Sequence, residues 1–259
     1  MLLAIDIGNT SIHFGVFARN GLKGEWRITT TPHKTSDEYG LMIKEFLHTG
    51  QLNDKKIEGV VLCSVVPSLT PAFTEAATKY FHTKPLVVSH ETPTGLKISY
   101  EPPRDVGADR VANAVAAHAR YRESVVVVDF GTATTLDIVT QKGEYVGGII
   151  IPGVLISAEA LFARAAKLSE VEMTPPKTLV GRDTVGSLQS GIIFGYAAMV
   201  DGMVERIRQE IRGPIRVVAT GGLADRITPY CKTVEETRPF LTLEGLRIIF
   251  EKQRSHTKQ

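Results

Sequence analysis

Two hydrophobic periods alternate along the chain. Residues 1–5 are an apolar run that ends at Asp6 and turns at Gly8-Asn9-Thr10; apolar and polar positions then alternate over 11–17 and 21–29, with Trp26 and Ile28 on one face. Period-two alternation predicts strands, so the first 29 residues read as three strands joined by short turns. The period then lengthens. Tyr39, Met42, Ile43, Phe46 and Leu47 fall on one helical face, Thr35 and Glu38 have capping-box spacing, and Gly50 ends the element. A buried-type strand over 57–66 follows, then a helix over 68–81 opened by Ser68 with Pro71 in its first turn, and a short strand over 85–89.

After a strand over 97–100, Pro102-Pro103 predicts an irregular loop into Val106-Gly107-Ala108-Asp109-Arg110, and the Ala-rich 112–121 reads as helix. The opening plan then repeats: a strand to Asp129, a strand over 134–139, and a strand over 143–152 beyond a Gln141-Lys142-Gly143 turn. A helix over 155–166 and a loop with Pro175-Pro176 precede the longest helix, where Leu188, Ile192, Tyr196, Met199, Met203 and Ile207 keep helical spacing almost to Gly213. That stripe reads as core packing, with some of its length available for subunit contact. The chain closes with a strand over 215–220 into Gly221-Gly222, a helix near Leu223, and a helix over 242–252. Three strands followed by alternating elements, seen twice, predict a duplicated α/β architecture of mixed sheets flanked by helices.

The repeat has a chemical core. An apolar strand ends in an aspartate and runs into a Gly-containing turn with small polar residues, once as Asp6-Ile7-Gly8-Asn9-Thr10 and again as Asp129-Phe130-Gly131-Thr132. Such a hairpin tip can bring backbone N–H groups close to phosphate oxygens while its carboxylate holds a cation. One copy alone is most simply an ordinary turn; two copies half a chain apart point to a nucleotide.

Composition removes other classes. The 259 residues are 43% hydrophobic, enough for one large core or two half-sized ones, and 30 basic against 28 acidic residues leave a formal charge of +2, which gives nucleic acid no general foothold. The basic stretch 252–258 reads as a solvated tail. Cys63 and Cys231 lack metal-ligand spacing and fit reduced thiols of a cytoplasmic protein, and neither a signal peptide nor a membrane-spanning segment is expected.

The chain has no Gly-x-x-x-x-Gly-Lys loop, kinase His-Arg-Asp set, Gly-x-Ser-x-Gly elbow or His-Glu-x-x-His. His118 reads as a packed or surface residue. What remains is Asp6, Asp109 and Asp129 on loops, two phosphate-type turns, and Gly221-Gly222 after a strand, which can admit a purine and ribose or be a plain strand-to-helix turn. Asp109 can cap the helix it precedes or act as a base. Phosphoryl transfer uses this kit of donors, a carboxylate for Mg²⁺ and a base beside the acceptor hydroxyl.

The succession of Asp6-x-Gly8-Asn9-Thr10, Cys63-Ser64-Val65-Val66-Pro67, Tyr100 through Gly107-Ala108-Asp109-Arg110, Asp129-Phe130-Gly131-Thr132-Ala133-Thr134, Gly181-Arg182-Asp183-Thr184 and Thr220-Gly221-Gly222-Leu223-Ala224 resembles the type III pantothenate kinases. These are a branch of the superfamily of acetate and sugar kinases, chaperone ATPases and actin. The resemblance covers nearly the whole chain, and the Tyr100-to-Arg110 segment is what separates it from the wider superfamily. It implies a duplicated actin-like ATPase (ribonuclease H-like) fold with half-domains over 1–121 and 122–259, the last helix packing back on the first. It implies ATP-dependent phosphorylation of pantothenate to 4′-phosphopantothenate, the first step of coenzyme A biosynthesis. By the same resemblance Asp6, Ile7, Gly8, Asn9, Thr10, Ser11, Ile12 and His13 line the ATP phosphates, Asp6 faces Mg²⁺, and Thr132 touches ATP. Asp109 is the base; Tyr100, Gly107, Ala108, Arg110 and Thr184 hold pantothenate with it. Asp129 holds K⁺ or NH₄⁺, and the protein is a homodimer. A kinase of the same fold for another small acceptor, and a non-catalytic nucleotide-binding regulator, stay open as alternatives.

Overall fold

The computed structural model describes residues 1–164 and 171–256. It forms two compact units, one made of Met1–Ala116 with the chain from Leu241 onward, the other of Ala117–Phe240.

In chain order the first unit holds β1 (Leu2–Ile7), β2 (Ser11–Ala18), β3 (Gly21–Thr29), α1 (Ser36–Thr49), β4 (Gly59–Ser64), α2 (Thr70–Phe81), β5 (Leu86–Val87), β6 (Lys97–Ile98) and the start of α3 (Ala108–Arg120). Its sheet has the order β3-β2-β1-β4-β5. The two hairpin pairs are antiparallel, while β4 runs parallel to β1 and β5 parallel to β4. Alternation along β1 sends Leu3, Ile5 and Ile7 into a core with Val60 and Leu62 of β4, closed by Tyr39, Ile43 and Leu47 of α1 and Phe73 of α2. Tyr39 and Phe73 hold this core with ring centroids 4.2 Å apart. Asp6 and Cys63, one position out of phase with those core residues, therefore point to the opposite face.

The second unit holds β7 (Ser124–Phe130), β8 (Ala133–Val139), β9 (Glu144–Pro152), α4 (Val154–Arg164), α5 (Thr184–Glu210), β10 (Ile215–Thr220), α6 (Ala224–Ile227) and β11 (Glu236–Thr237). Within it the strands run β11-β10-β7-β8-β9, with antiparallel hairpins and with β10 parallel to β7 and to β11. Each strand has a counterpart in the first unit, β7 for β1, β8 for β2, β9 for β3, β10 for β4 and β11 for β5. Val126, Val128 and Phe130 pack against Ile193, Ala197, Val200 and Val204 of α5. The last helix, α7 (Leu241–His256), belongs to the first unit, where it packs on β1, β2 and β4.

The structure corrects several local expectations. The strand expected over 57–66 is regular only over Gly59–Ser64. Ser68 does not cap α2: Pro67–Leu69 form a 3-10 turn, and the helix starts at Thr70 with no side-chain cap, Pro71 filling a first-turn position whose N–H would be unpaired anyway. α3 begins at Ala108, four residues before the Ala-rich run, because a separate turn over Pro103–Asp105 absorbs the prolines. The buried stripe of α5 is Ser190, Ile192, Ile193, Ala197, Val200, Val204 and Ile207, so Ile192 and Ile207 lie in the core as expected, while Tyr196 and Met203 flank it half-buried. β11 has no counterpart among the expected strands. The basic stretch expected as a solvated tail is instead helical as far as His256 at the end of α7, with Lys252 Nζ donating to the Thr94 carbonyl at 2.9 Å; Lys258, and the last two residues of the helix expected over 155–166, lie outside the described residues.

Candidate active site

The parallel strands β1 and β4 end side by side, a position where ligands gather in open α/β sheets. Beyond β1, the Gly8 N–H donates to the Ser11 carbonyl at 3.1 Å, closing the turn. Thr30 braces it, its hydroxyl donating to the Gly8 carbonyl at 2.6 Å and its N–H to the Thr10 carbonyl at 3.0 Å. Asn9 and Thr10 are exposed and Ser11 half-buried, so donors crown the turn. Ile7 and Ile12 are fully buried in the core, which leaves only their backbone to meet a ligand. His13 is also buried; Nε2 lies 2.8 Å from Glu25 Oε2, and Arg27 Nη2 lies 3.3 Å from Nδ1. Burial lowers its pKa, and the hydrogen bond to Glu25 opposes that shift.

Asp6 stands opposite Cys63 in the parallel register, and the Cys63 thiol donates to Asp6 Oδ1 at 3.2 Å. Loss of hydration pushes the Asp6 pKa up to about 7, and the negative charge of Asp109 adds to the rise, while the thiol hydrogen bond and Arg27 oppose it. The thiol itself, wholly buried beside two carboxylates, is held well above the ordinary cysteine range and stays a protonated donor.

The third part is the start of α3. The Gly107 carbonyl accepts from the Val111 N–H at 3.1 Å, and Asp109 Oδ1 accepts from the Arg110 N–H at 2.8 Å. Asp109 thus lies inside the first turn, where the free amides favour its charge, and its carboxylate folds back over Gly107 so closely that a β-carbon there would collide with Oδ1. Ala108 is half-buried and Arg110 buried; Tyr100, beyond β6, is half-buried. Val65, just past β4, donates its N–H to the Ile7 carbonyl at 3.0 Å, tying the two strand ends together.

In the second unit the Gly131 N–H donates to the Ala133 carbonyl at 3.1 Å, the counterpart of the Gly8 turn. Asp129 is half-buried at the end of β7, opposite Thr135 on β8 and Thr220 on β10. Gly221 follows with φ of +94°, and a β-carbon there would strike Asp129 Oδ1, so the turn needs glycine on both counts. Thr132 is half-buried in its turn, and Thr184 is exposed as the first residue of α5. Asp183 caps that helix by accepting from the Gly186 N–H at 2.7 Å; the Asp-Thr pair ahead of a periodic run was a readable signal for that start.

The structure therefore brings Asp6, Cys63, Gly107 and Asp109 together in the first unit, and Asp129 with Gly221 in the second. Sequence reasoning gave the Cys63 side chain no role. Nothing local signals its contact with Asp6, because the two residues are 57 positions apart.

The type III pantothenate kinase family model matches residues 2–206. The chain belongs to that family. A type III pantothenate kinase of Moorella thermoacetica is 50% identical over 252 residues, covering 97% of this chain and 99% of its relative. One from Geobacter sulfurreducens is 48% identical over 254 residues, covering 98% and 100%. Among solved structures, an inorganic polyphosphate/ATP-glucomannokinase from Arthrobacter aligns with a TM-score of 0.51 at 15% identity, covering 98% of this chain and 99% of that one. At that identity the likeness concerns fold alone. This family member has the duplicated actin-like ATPase architecture, with two mixed sheets flanked by helices.

Its donor set also fits a magnesium ion. Asp6 and Asp109 place surplus negative charge at one point of the first unit, yet among the described residues no three His, Cys, Asp or Glu side chains cluster tightly enough to cage a metal. One or two carboxylates completed by phosphates and water is how magnesium is held in phosphoryl-transfer sites.

Proposed function

We propose that this chain transfers the γ-phosphoryl group of ATP to the primary hydroxyl of pantothenate, giving 4′-phosphopantothenate at the start of coenzyme A biosynthesis. The observation that carries the reading is the family match, which spans the segment holding Asp6, Asp109 and Asp129. Asp109 is the base that receives the hydroxyl proton. Tyr100, Gly107, Ala108, Arg110 and Thr184 hold pantothenate around it. The residues from Asp6 to His13, with Thr132, bind ATP; the exposed turn supplies donors, and Ile7 and Ile12 contribute backbone. Magnesium, carried in with ATP and faced by Asp6, neutralises phosphate charge. Asp129 holds a monovalent cation, potassium or ammonium.

Phosphoryl transfer of this kind asks the protein for placement more than for a strong base, since little negative charge builds on the attacking oxygen until late. A first-turn aspartate held against Gly107 meets that need. The exposed apolar side chains of Leu155, Ile156 and Leu161 on α4, with Leu179 and Val180 at 69% and 76% exposure, support a homodimer. Two free thiols fit a reducing cytoplasm.

The test is ATP consumption with pantothenate against a panel of sugars and acetate, with and without potassium. Pantothenate-dependent turnover alone is the expected result. Turnover with a sugar or acetate instead would assign another acceptor, and ATP binding without turnover on any acceptor would make the chain a nucleotide-binding regulator.

A further inference from the structure

The Asp6 carboxylate receives one protein hydrogen bond among the described residues, and its donor is a thiol: Cys63 Sγ to Oδ1 at 3.2 Å. The pair is set by backbone. Asp6 and Cys63 are register partners on neighbouring parallel strands, and the strand ends are tied just beyond them by the Val65 N–H to the Ile7 carbonyl. Cys63 is wholly buried. The last torsion of an aspartate is otherwise broadly distributed, so its two oxygens are not fixed by the side chain itself.

We propose that Cys63 is a positioning residue for the phosphoryl-transfer site. Its thiol fixes Oδ1 and so presents Oδ2 of Asp6 to the magnesium carried by ATP. The inference rests on the reading of Asp6 as the magnesium-facing carboxylate. Outer hydrogen bonds that orient a metal-facing carboxylate set metal affinity although they never touch the metal. A thiol is a weak donor, so the contribution is moderate, and a serine hydroxyl at the same strand position can supply it.

Four variants test this: Cys63→Val, Cys63→Ala, Cys63→Ser and Asp6→Asn. Binding of Mn²⁺ to protein saturated with ATP, read by electron paramagnetic resonance, gives metal affinity apart from turnover; KM for magnesium-ATP and kcat are measured alongside, and thermal melts report folding. The expected result is metal affinity about tenfold weaker in Cys63→Val and Cys63→Ala, Cys63→Ser within about threefold of the parent, and an unchanged pantothenate affinity in all three. The alanine variant removes the donor without adding bulk, so the comparison survives if valine disturbs folding. If Asp6→Asn weakens Mn²⁺ binding but the alanine variant does not, the role of Cys63 is overturned and that of Asp6 stands. A serine variant as weak as alanine also overturns it, since packing rather than donation would then matter. Unchanged Mn²⁺ binding in Asp6→Asn removes Asp6 from the metal and the inference with it.

Discussion

The Asp109 carboxylate lies directly over Gly107, occupying the space in which any other residue would carry its β-carbon. The contact makes the position of this carboxylate, the proposed base, a property of the loop before the helix. Gly107→Ala should push the carboxylate off its place and lower kcat by about tenfold or more, with a smaller effect on the KM for ATP. Asp109→Asn removes the proposed base while keeping size, and should lower kcat by about a hundredfold or more with ATP affinity nearly intact. Steady-state kinetics and calorimetric ATP titration check both. Wild-type turnover in Asp109→Asn would take Asp109 out of its role.

The raised pKa of Asp6 makes stability depend on pH in a definite direction. Between the ordinary value of 3.8 and about 7, the folded protein retains a proton that the unfolded chain has released. Stability of the nucleotide-free protein therefore falls as pH rises through that window and levels off above it. Asp6→Asn abolishes this contribution. Its melting temperature should exceed the parent's by a few degrees at pH 8, and the gap should close by pH 4. Thermal melts across that range check it; a constant gap would mean that the carboxylate is ordinary.

For Asp129, the expected outcome concerns the monovalent ion. Asp129→Ala should abolish activation by potassium and leave a rate that does not change with it, and a titration of kcat with potassium chloride at constant ionic strength reads this. Full potassium dependence in the variant would place the cation elsewhere.

Thr35 provides a test remote from chemistry. Its hydroxyl accepts from the Glu38 N–H at 3.3 Å, and Glu38 Oε2 accepts from the Thr35 N–H at 2.8 Å, a reciprocal cap on α1. Thr35→Ala should cost about 1 kcal/mol of stability, read by urea unfolding, with kcat unchanged.

That cap was legible in the sequence because all its parts lie within four residues, and both strand-to-turn aspartates were legible for the same reason. The start of α2 was not, since Ser68 has a capping residue's chemistry but follows Pro67 in a turn of its own. The alanines place the start of α3 four residues late, because its first turn is charged and carries no alanine run. In α5 the stripe of large side chains holds at Ile192 and Ile207, but the core also takes Ser190, Ile193, Ala197, Val200 and Val204, whose mix of small and apolar residues shows no such stripe in the sequence. β11 is a Glu-Thr pair with no apolar residue of its own to mark it, unlike the equally short β5 and β6. The partnership of Asp6 with Cys63 is a product of strand register, and only the assembled sheet reveals it.

α7 returns to the first unit after the whole of the second has been written. In synthesis, then, the helix that packs on β1, β2 and β4 is made only after every strand of the second unit, so the unit that carries Asp6 cannot be completed until Ala117–Phe240 has emerged. The part of the protein that is begun first is the part that is finished last.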